Sequence, residues 1–472
     1  MEGFGATLNF EQSLVSLDEG FSLQQEDPLT IVNNLSELLE MTDAEFEQAL
    51  ASVSQGDLES NTAAFVVSDD ISTQTSGDLI TGLDGTLVVG QTLSTLRSLT
   101  TIHEGGNSWG SGNYATSIAF GDVDGDGRDE VGVARRAGGN GRYFIFEDAL
   151  SNFSLLHQGG NSWGSNNYAT SIAFGDVDGD GRDEVGVSRR AGVNARYFIL
   201  EDELSGFSQI HEGGNSWGSN NYATSIAFGD VDGDGRDEVG VARRAGVNAR
   251  YFILEDELSG FSQIHEGGNS WGSNNYATSI AFGDVDGDGR DEVGVARRAG
   301  VNARYFILED ELSGFSQLNA GGNSWGSNNY ATSIAFGDVD GDGRDEVGVA
   351  RRAGVNARYF ILEDELSGFS QLHAGGNSWG SNNYATSIAF GDVDGDGRDE
   401  VGVARRAGVN ARYFILEDEF GAFSQLQAGG NSWGSNNYAT SIAFGDVDGD
   451  GSDEIGVARR AGVNARYFIF DT

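Results

Sequence analysis

Short hydrophobic runs alternate with glycine-rich polar stretches over most of the chain, and each run is about as long as a β-strand. One stretch shows the pattern clearly, with apolar-rich runs at 224–228, 239–242, 251–254 and 261–264. The third run is apolar on both faces, which is typical of a strand enclosed between neighbouring sheets. The pattern therefore predicts four short strands, which we name A to D, separated by turns.

The four-strand pattern recurs as a tandem repeat. Neighbouring tryptophans are always 54 residues apart, at Trp109, Trp163, Trp217, Trp271, Trp325, Trp379 and Trp433. Four strands in each unit are what a propeller blade requires, although the repeat is slightly longer than the usual ~40–50 residues. We therefore predict an all-β fold for residues 95–472, a seven-bladed β-propeller of four-stranded blades.

The two ends of the repeat array fit together as parts of one blade. The last copy ends at 470–472, directly after its strand C, and residues 99–104 align with a strand D that precedes the first copy. Pairing of these segments would close the ring and leave no unpaired strand edge there. An open solenoid with two exposed half-blades is the structural alternative.

The loop between strands A and B carries the strongest chemical signal. In the first copy Asp122, Asp124 and Asp126 alternate, glycine stands at position six and Glu130 at position nine. These four carboxylates, with the carbonyl of Arg128 at position seven, can surround a hard divalent cation with oxygen. The corresponding ligands of the other copies are Asp176, Asp178, Asp180, Arg182, Glu184, Asp230, Asp232, Asp234, Arg236, Glu238, Asp284, Asp286, Asp288, Arg290, Glu292, Asp338, Asp340, Asp342, Arg344, Glu346, Asp392, Asp394, Asp396, Arg398, Glu400, Asp446, Asp448, Asp450, Ser452 and Glu454. We predict seven Ca²⁺ sites, one per blade; the alternative is an acidic turn without metal.

The charge balance also points to cations as counter-ions. The chain of 472 residues has 73 acidic residues against 28 basic ones, all arginine, for a net charge of −45. Such a charge repels a phosphate backbone and disfavours nucleic acid as a partner. The absence of cysteine excludes disulfides and thiol chemistry. No apolar run reaches the ~18 residues that a membrane helix needs.

The repeat resembles the integrin-like calcium-binding propellers known as FG-GAP or VCBS repeat proteins. Residues 117–133 are similar to that family's strand, calcium loop and strand, and the likeness recurs in all seven copies. The resemblance implies a seven-bladed propeller with calcium between the first two strands of each blade, used in adhesion, in ligand recognition or as a module attached to enzymes. It implies the same ligands, with Arg128 acting through its carbonyl. The chain departs from the family at position nine, where Asp is frequent, and at 134–136, where Ala-Arg-Arg replaces a Gly-Ala-Pro turn.

Strand direction divides the loops between the two faces of the disc. The A–B and C–D loops share one face, which would collect the calcium loops and the acidic residues 255–257. The B–C and D–A loops share the other face, where each copy combines arginine, asparagine and aromatic residues. In the third copy these are Trp217, Asn221, Tyr222, Arg243, Arg244 and Arg250. We predict this face as a sevenfold platform for a glycan or an anionic polymer. The alternative is that the aromatic residues pack between blades and the arginines pair with acids.

No set of catalytic residues interrupts the repeat, so we predict no enzymatic activity. Histidine occurs at a single repeat position, and Asn319 and Gln427 replace it in two copies. A general base or a metal ligand would not be exchanged so freely.

Residues 1–94 hold 17 acids and no basic residue. A capping box at 42–45 predicts a short helix at 35–54, followed by a flexible linker. No standard secretory signal is visible at the start. The sequence as a whole predicts a calcium-binding recognition or adhesion propeller outside a bacterial cell, where calcium is millimolar. The alternatives are a structural protein that assembles into stacks or filaments, and a cytoplasmic sensor propeller. A protein partner is also compatible with the sequence.

Overall fold

The computed structural model describes residues 99–471 except for short gaps in the loops, together with five short strands nearer the N-terminus. The gaps are residues 111, 138–141, 149–152, 165–166, 192–195, 204–205, 219–220, 246–249, 258–259, 273–274, 300–303, 312–313, 326–328, 354–357, 366–367, 381–382, 408–411, 420–421, 435–436 and 462–465. The chain divides into two compact units, Met1–Arg97 and Ser98–Thr472.

The first unit contains a three-stranded antiparallel sheet and a separate pair of antiparallel strands. The sheet consists of β1 (Ala6–Asn9), β2 (Leu14–Leu17) and β3 (Phe21–Leu23). The pair consists of β4 (Ile80–Thr81) and β5 (Leu87–Val88). The predicted helix at 35–54 and the linker after it lie outside the described residues.

The second unit consists of seven four-stranded antiparallel sheets. Blades one to three are β7 (Tyr114–Gly121), β8 (Glu130–Arg136), β9 (Tyr143–Asp148), β10 (Phe153–Gly159); β11 (Tyr168–Gly175), β12 (Glu184–Arg190), β13 (Tyr197–Glu203), β14 (Gly206–Gly213); and β15 (Tyr222–Gly229), β16 (Glu238–Arg244), β17 (Tyr251–Glu257), β18 (Gly260–Gly267). Blades four to six are β19 (Tyr276–Gly283), β20 (Glu292–Arg298), β21 (Tyr305–Glu311), β22 (Gly314–Gly321); β23 (Tyr330–Gly337), β24 (Glu346–Arg352), β25 (Tyr359–Glu365), β26 (Gly368–Gly375); and β27 (Tyr384–Gly391), β28 (Glu400–Arg406), β29 (Tyr413–Glu419), β30 (Ala422–Gly429).

The seventh blade is assembled from both ends of the unit. Its strands are β31 (Tyr438–Gly445), β32 (Glu454–Arg460), β33 (Tyr467–Asp471) and β6 (Thr100–Gly105), which precedes the first blade in the chain. Strand β6 pairs with β33 in antiparallel register, with Ile469 opposite His103. This arrangement confirms the predicted seven-bladed all-β propeller. The described helical segments are the 3-10 turns Asn323–Trp325, Asn377–Trp379 and Asn431–Trp433. In the described part of the chain, no helix is long and apolar enough to span a membrane.

Strand A of each blade lies beside the strands A of both neighbouring blades. The register of A against B shifts at Thr224, and the hydroxyl of this residue donates a hydrogen bond to the carbonyl oxygen of Ala277 in the next blade at 2.9 Å. Equivalent bonds continue around the ring, and the last runs from Thr440 to the carbonyl oxygen of Ala115 at 2.8 Å. The seven strands A therefore surround the axis of a closed ring.

The hydrophobic core lies between adjacent blades and is repeated around the ring. One cluster joins Tyr197 and Ile199 of the second blade to Ile226, Val239 and Val241 of the third. A cluster of the same kind joins the seventh blade to the first. Because each blade contributes to two clusters, no blade is expected to be stable without both neighbours.

Glycines allow the blades to approach one another closely. The aromatic ring of Phe228 occupies space beside Gly175 and Gly186 of the preceding blade. A Cβ atom at Gly186 would lie 2.7 Å from that ring, and one at Gly175 would overlap with the Cβ of Phe228. A side chain at either position would therefore separate the two blades.

The strands are longer than the hydrophobic runs that predicted them. In the third blade, Tyr222 belongs to strand A, Arg243 and Arg244 belong to strand B, and residues 255–257 belong to strand C, although all of them were expected in loops. The reason is that backbone pairing continues past the apolar residues, with Tyr222 opposite Arg244. Polar side chains at strand ends do not interrupt that backbone ladder.

Candidate functional site

The acidic loop of each blade connects the end of strand A to the start of strand B. In the third blade, the carboxylate of Asp230 accepts hydrogen bonds from the backbone N–H groups of Gly233 at 2.7 Å and Gly235 at 2.9 Å. Both glycines have positive φ angles, 78° and 84°, which a residue with a side chain rarely adopts. The loop is therefore folded tightly around the carboxylate at its first position.

The acids of the loop converge on a common point. In the first, second, fourth and fifth blades one oxygen from each of the acids at positions one, three and nine lies within 4.8 Å of the others: Asp122, Asp124 and Glu130; Asp176, Asp178 and Glu184; Asp284, Asp286 and Glu292; and Asp338, Asp340 and Glu346. In the third blade the convergent set is Asp230, Asp232 and Asp234. Three convergent carboxylates in one loop could hold a metal ion.

The acid at position five has a second partner in the loop. Asp180 forms an ion pair with Arg182 at 2.6 Å, and the side-chain hydrogen bond from this arginine lowers the pKa of the aspartate. Asp234 and Arg236 make the same ion pair. The seventh blade has Ser452 in place of arginine, and there Asp450 accepts a hydrogen bond from the backbone N–H of Ser452 at 2.9 Å. In six blades, an arginine therefore neutralises one predicted ligand.

The glutamate at position nine is buried beneath the loop. Glu238 is 2% exposed, and its carboxylate accepts a hydrogen bond from the backbone N–H of Val231 at 2.9 Å. Burial, reinforced by the negative charges of Asp232 and Asp230, raises the pKa of Glu238 from 4.5 to about 8. The equivalent glutamates have similarly raised pKa values. A buried carboxylate beside other carboxylates, all offering oxygen, is a donor set that fits a hard divalent cation.

The aspartate at position eight was not singled out in the sequence, and it links the loops of neighbouring blades. The backbone N–H of Asp237 donates to the carbonyl oxygen of Asp176 at 2.7 Å, and the N–H of Asp176 donates back to the Asp237 carboxylate at 3.1 Å. Burial, together with the charge of the equivalent Asp183, raises the pKa of Asp237 to about 7. The signal for this role was the presence of an acid directly before the position-nine glutamate in every copy.

On the opposite face, one of the predicted ligand-binding arginines is fully buried. Arg250 is 0% exposed, and its guanidinium donates hydrogen bonds to three carbonyl oxygens of the D–A loop. These acceptors are Asn275 at 3.1 Å, Gly268 at 3.2 Å and Gly272 at 2.8 Å. Arg250 therefore holds the loop in place and is not accessible to a ligand.

A second predicted arginine is also inside the protein. Arg243 is 3% exposed, and its guanidinium carbon lies 4.4 Å from the ring centre of Trp217 and 4.6 Å from that of Phe252. Trp217 stacks on Phe252, and the side chain of Asn221 donates to the carbonyl oxygen of Trp217. Trp217 therefore packs against other side chains, as the alternative interpretation of this face predicted. Aromatic rings contact the Arg243 guanidinium.

The remaining pair, Arg244 and Tyr222, is at the surface. Arg244 is exposed, and its guanidinium donates a hydrogen bond to the phenolic oxygen of Tyr222 at 3.4 Å. The guanidinium carbon lies 5.8 Å from the ring centre of Tyr222 and 5.5 Å from that of Tyr276 in the next blade. The arginine therefore bridges two blades through their tyrosines.

The same bridges close into a circle of alternating arginines and tyrosines, which we name the Arg–Tyr ring. Its last link is Arg460, which lies 5.7 Å from the ring centre of Tyr438 and 5.5 Å from that of Tyr114. The members are Tyr114, Arg136, Tyr168, Arg190, Tyr222, Arg244, Tyr276, Arg298, Tyr330, Arg352, Tyr384, Arg406, Tyr438 and Arg460. Because these residues begin strand A and end strand B, the ring surrounds the axis on the face opposite the acidic loops.

Comparison with known proteins supports the repeat and the fold. Residues 122–187 match the family described as FG-GAP-like repeat. No curated protein matches the chain. A solved structure described as BBS1N in complex with ARL6DN, soaked with lead, is similar with a TM-score of 0.51 and 11% identity, over 79% of this chain and 96% of that chain. At this identity the likeness concerns the fold alone. The matched segment extends from the first acidic loop into strand B of the second blade, and together with the seven four-stranded blades it supports a seven-bladed propeller with FG-GAP-like repeats.

Proposed function

We propose that the chain is a calcium-binding propeller that recognises a partner and catalyses no reaction. The convergence of carboxylates at a tight loop, above a buried glutamate, is the observation that carries the proposal. Ca²⁺ accepts six to eight oxygen ligands in flexible geometry, so aspartates at alternate positions and a glutamate at position nine suit it. Seven bound ions would also reduce the large negative charge of the chain.

The burial of the position-nine glutamate supports the binding of a cation more strongly than the number of acids does. Ionised Glu238 would be an uncompensated buried charge, which is costly unless it is paired or coordinates a metal. The alternative to metal binding is a protonated carboxyl group, and the raised pKa of Glu238 favours that form. We therefore expect calcium to replace a proton at this site and to stabilise the folded propeller.

The contacts of the histidines favour a packing role over a catalytic one. The imidazole of His211 lies 3.4 Å from the phenolic oxygen of Tyr197 and packs against Phe261 of the next blade, with ring centres 4.7 Å apart. Burial lowers the pKa of this histidine. The residue has the contacts of a packing residue at a blade interface, which agrees with its replacement by Asn319 and Gln427 in other copies.

The location we propose is outside the cell. Calcium sites of extracellular modules have dissociation constants of about 10⁻⁴–10⁻³ M, which suits millimolar calcium but not the cytoplasm. The measured affinity tests this point: sites with dissociation constants below about 10⁻⁶ M would instead favour the cytoplasmic sensor.

Calorimetric titration of calcium-free protein tests the metal directly. We expect uptake of about one Ca²⁺ per blade and a higher melting temperature in calcium. A variant with Gln at all seven position-nine glutamates should lose both effects. The matched control carries Gln at Arg128, Arg182, Arg236, Arg290, Arg344 and Arg398, where the seventh loop already has a neutral Ser452. This control should still bind calcium, because only the carbonyl of position seven is a predicted ligand. Absence of uptake at millimolar calcium would refute the proposal.

A further inference from the structure

We infer that the Arg–Tyr ring binds an anionic polysaccharide that carries sulfate or carboxylate groups. The inference rests on the proposed recognition function and names the class of partner. It narrows the binding surface to one exposed arginine and one tyrosine per blade, because the other predicted residues of this face are engaged in packing.

The first argument is the distribution of positive charge. Arg243 and Arg250 are buried, and Arg236 is paired with Asp234 on the opposite face. Arg244 is exposed, and in the described part of the chain the arginines of the Arg–Tyr ring make no ion pair with a carboxylate. The ring therefore concentrates seven exposed positive charges around the axis of a protein that is strongly negative overall.

The second argument is hydrogen-bonding chemistry. A guanidinium has five N–H donors and no acceptor, and Arg244 uses one of them on the phenolic oxygen of Tyr222. That oxygen accepts from the arginine, which leaves the O–H of the tyrosine to donate. The ring is thus a circle of donors. Sulfate and carboxylate groups offer acceptors only and match it, whereas a cation does not.

The third argument is spacing. Arg136 lies 5.4 Å from the ring centre of Tyr168, and Arg190 lies 5.8 Å from the same centre. Consecutive guanidinium groups are therefore separated by one tyrosine, and their distance cannot exceed the sum of these two values. A polymer with anionic groups at intervals can contact several arginines at once, and such multivalency strengthens weak single contacts by roughly 10²–10⁴-fold.

The tyrosines favour a polysaccharide over a nucleic acid. Proteins that bind single strands stack bases on exposed aromatic faces. In the Arg–Tyr ring, each tyrosine has guanidinium groups from two blades beside it, as Tyr276 has from Arg244 and Arg298.

The test measures binding of dextran sulfate, with uncharged dextran as the matched ligand and carboxymethyl dextran to compare carboxylate with sulfate. The ring variant carries Gln at Arg136, Arg190, Arg244, Arg298, Arg352, Arg406 and Arg460. The control variant is the position-seven set described above, which removes six arginine charges from the opposite face. All measurements are made in saturating calcium. We expect dextran sulfate to bind the original protein and the control, and to bind the ring variant at least ~100-fold more weakly.

A graded series keeps the test valid if the complete ring variant does not fold. Substituting one, two and three ring arginines should lower the affinity for dextran sulfate in steps, about three- to tenfold for each arginine. A ring that only holds the blades together would lower the melting temperature through the same series without changing the affinity, and this result would overturn the inference. Equal binding of dextran and dextran sulfate, or no binding of either charged polymer, would do the same.

Two further outcomes distinguish the parts of the argument. Single-stranded DNA that binds the ring as tightly as dextran sulfate at the same salt concentration would overturn the assignment to a polysaccharide. Normal calcium uptake without binding of a charged dextran would overturn this inference and leave the calcium proposal intact. Binding of dextran sulfate to a protein that takes up no calcium would overturn the calcium proposal and leave this inference intact.

Discussion

Raising the pH should destabilise the calcium-free propeller more than the calcium-loaded one. Glu238 has its pKa raised from 4.5 to about 8 in the folded chain, so the folded state holds this proton more tightly than the unfolded state does. Its contribution to stability is complete below pH 4.5 and is lost as the pH rises to about 8. Calcium binds the ionised carboxylate and should therefore cancel this loss.

The expected effect is large because the group is repeated. One unit of pKa difference corresponds to ~1.4 kcal/mol, so a shift from 4.5 to about 8 sets an upper limit near ~5 kcal/mol for one glutamate. Even a third of this value, summed over the seven buried glutamates, gives ~11 kcal/mol, which is comparable to the whole free energy of unfolding of a typical domain. We therefore expect the calcium-free protein to be folded at pH 5 and mostly unfolded at pH 8.

The assay is thermal and urea unfolding at pH 5, 6, 7 and 8, on protein freed of calcium with a chelating resin and on the same protein in calcium. The position-eight aspartates also make the protein less stable as the pH rises, because the pKa of Asp237 is raised from 3.8 to about 7. Asp237 is not a predicted ligand, so its part of the slope should persist in calcium. Gln at position nine in all copies should remove the calcium-sensitive part, and Asn at position eight should remove the residual part.

Two results would refute this reasoning. One is a cooperative unfolding transition in calcium-free buffer with the same stability at pH 5 and pH 8, since the buried glutamates would then have ordinary pKa values. The other is a pH slope that survives both sets of substitutions, since groups other than Glu238 and Asp237 and their equivalents would then control it.

Two further predictions concern the framework. Replacing Arg250 with Met in a single blade should lower the free energy of unfolding by about 2–5 kcal/mol, because three carbonyl oxygens lose their hydrogen-bond donor. Urea unfolding in calcium measures this change. The exposed Arg244→Met variant is the control, and its expected effect is below about 1 kcal/mol. Removing residues 1–97 should leave the melting temperature of the propeller unchanged. Removing residues 1–105 also deletes the outer strand of the seventh blade and should produce aggregation. Equal melting temperatures of the two truncated proteins would contradict the role of that strand.

The fold could be predicted from the sequence because its determinants are local and repeated. The regular spacing of tryptophans and the four apolar runs in each copy are visible along the chain, and they determine the blade. The acidic loop was visible for the same reason, since positions one to nine are consecutive. The acid before each position-nine glutamate was visible, but the link that Asp237 makes was not, because its partner Asp176 belongs to another blade. A contact between blades depends on how the copies are packed, and the sequence of one copy does not specify it.

The arginines show the same limit of prediction from the sequence of one copy. Arg243 and Arg244 are adjacent and of one type, so nothing in their chemistry separates them. Side chains of consecutive residues in a strand point to opposite sides, which already implies different environments for the two. Which residue becomes buried depends on the position of Trp217 and Phe252, and only the structure shows that these rings enclose Arg243. The sequence-based prediction therefore included both arginines in one binding surface.

These two arginines lie where the chain departs from the Gly-Ala-Pro turn of the family it resembles, and this departure links the fold to the inferred binding surface. In each blade the first arginine packs against aromatic rings and the second reaches the tyrosine of the next blade. One exposed arginine would bind an anionic group weakly. Because the copies are nearly identical and the ring is closed, the same residue recurs at regular spacing around the axis, and repetition converts a weak contact into a multivalent one. The same repetition multiplies the acids on the other face, so the acids that would bind calcium and the arginines that would attract an anionic polymer both follow from one repeated unit.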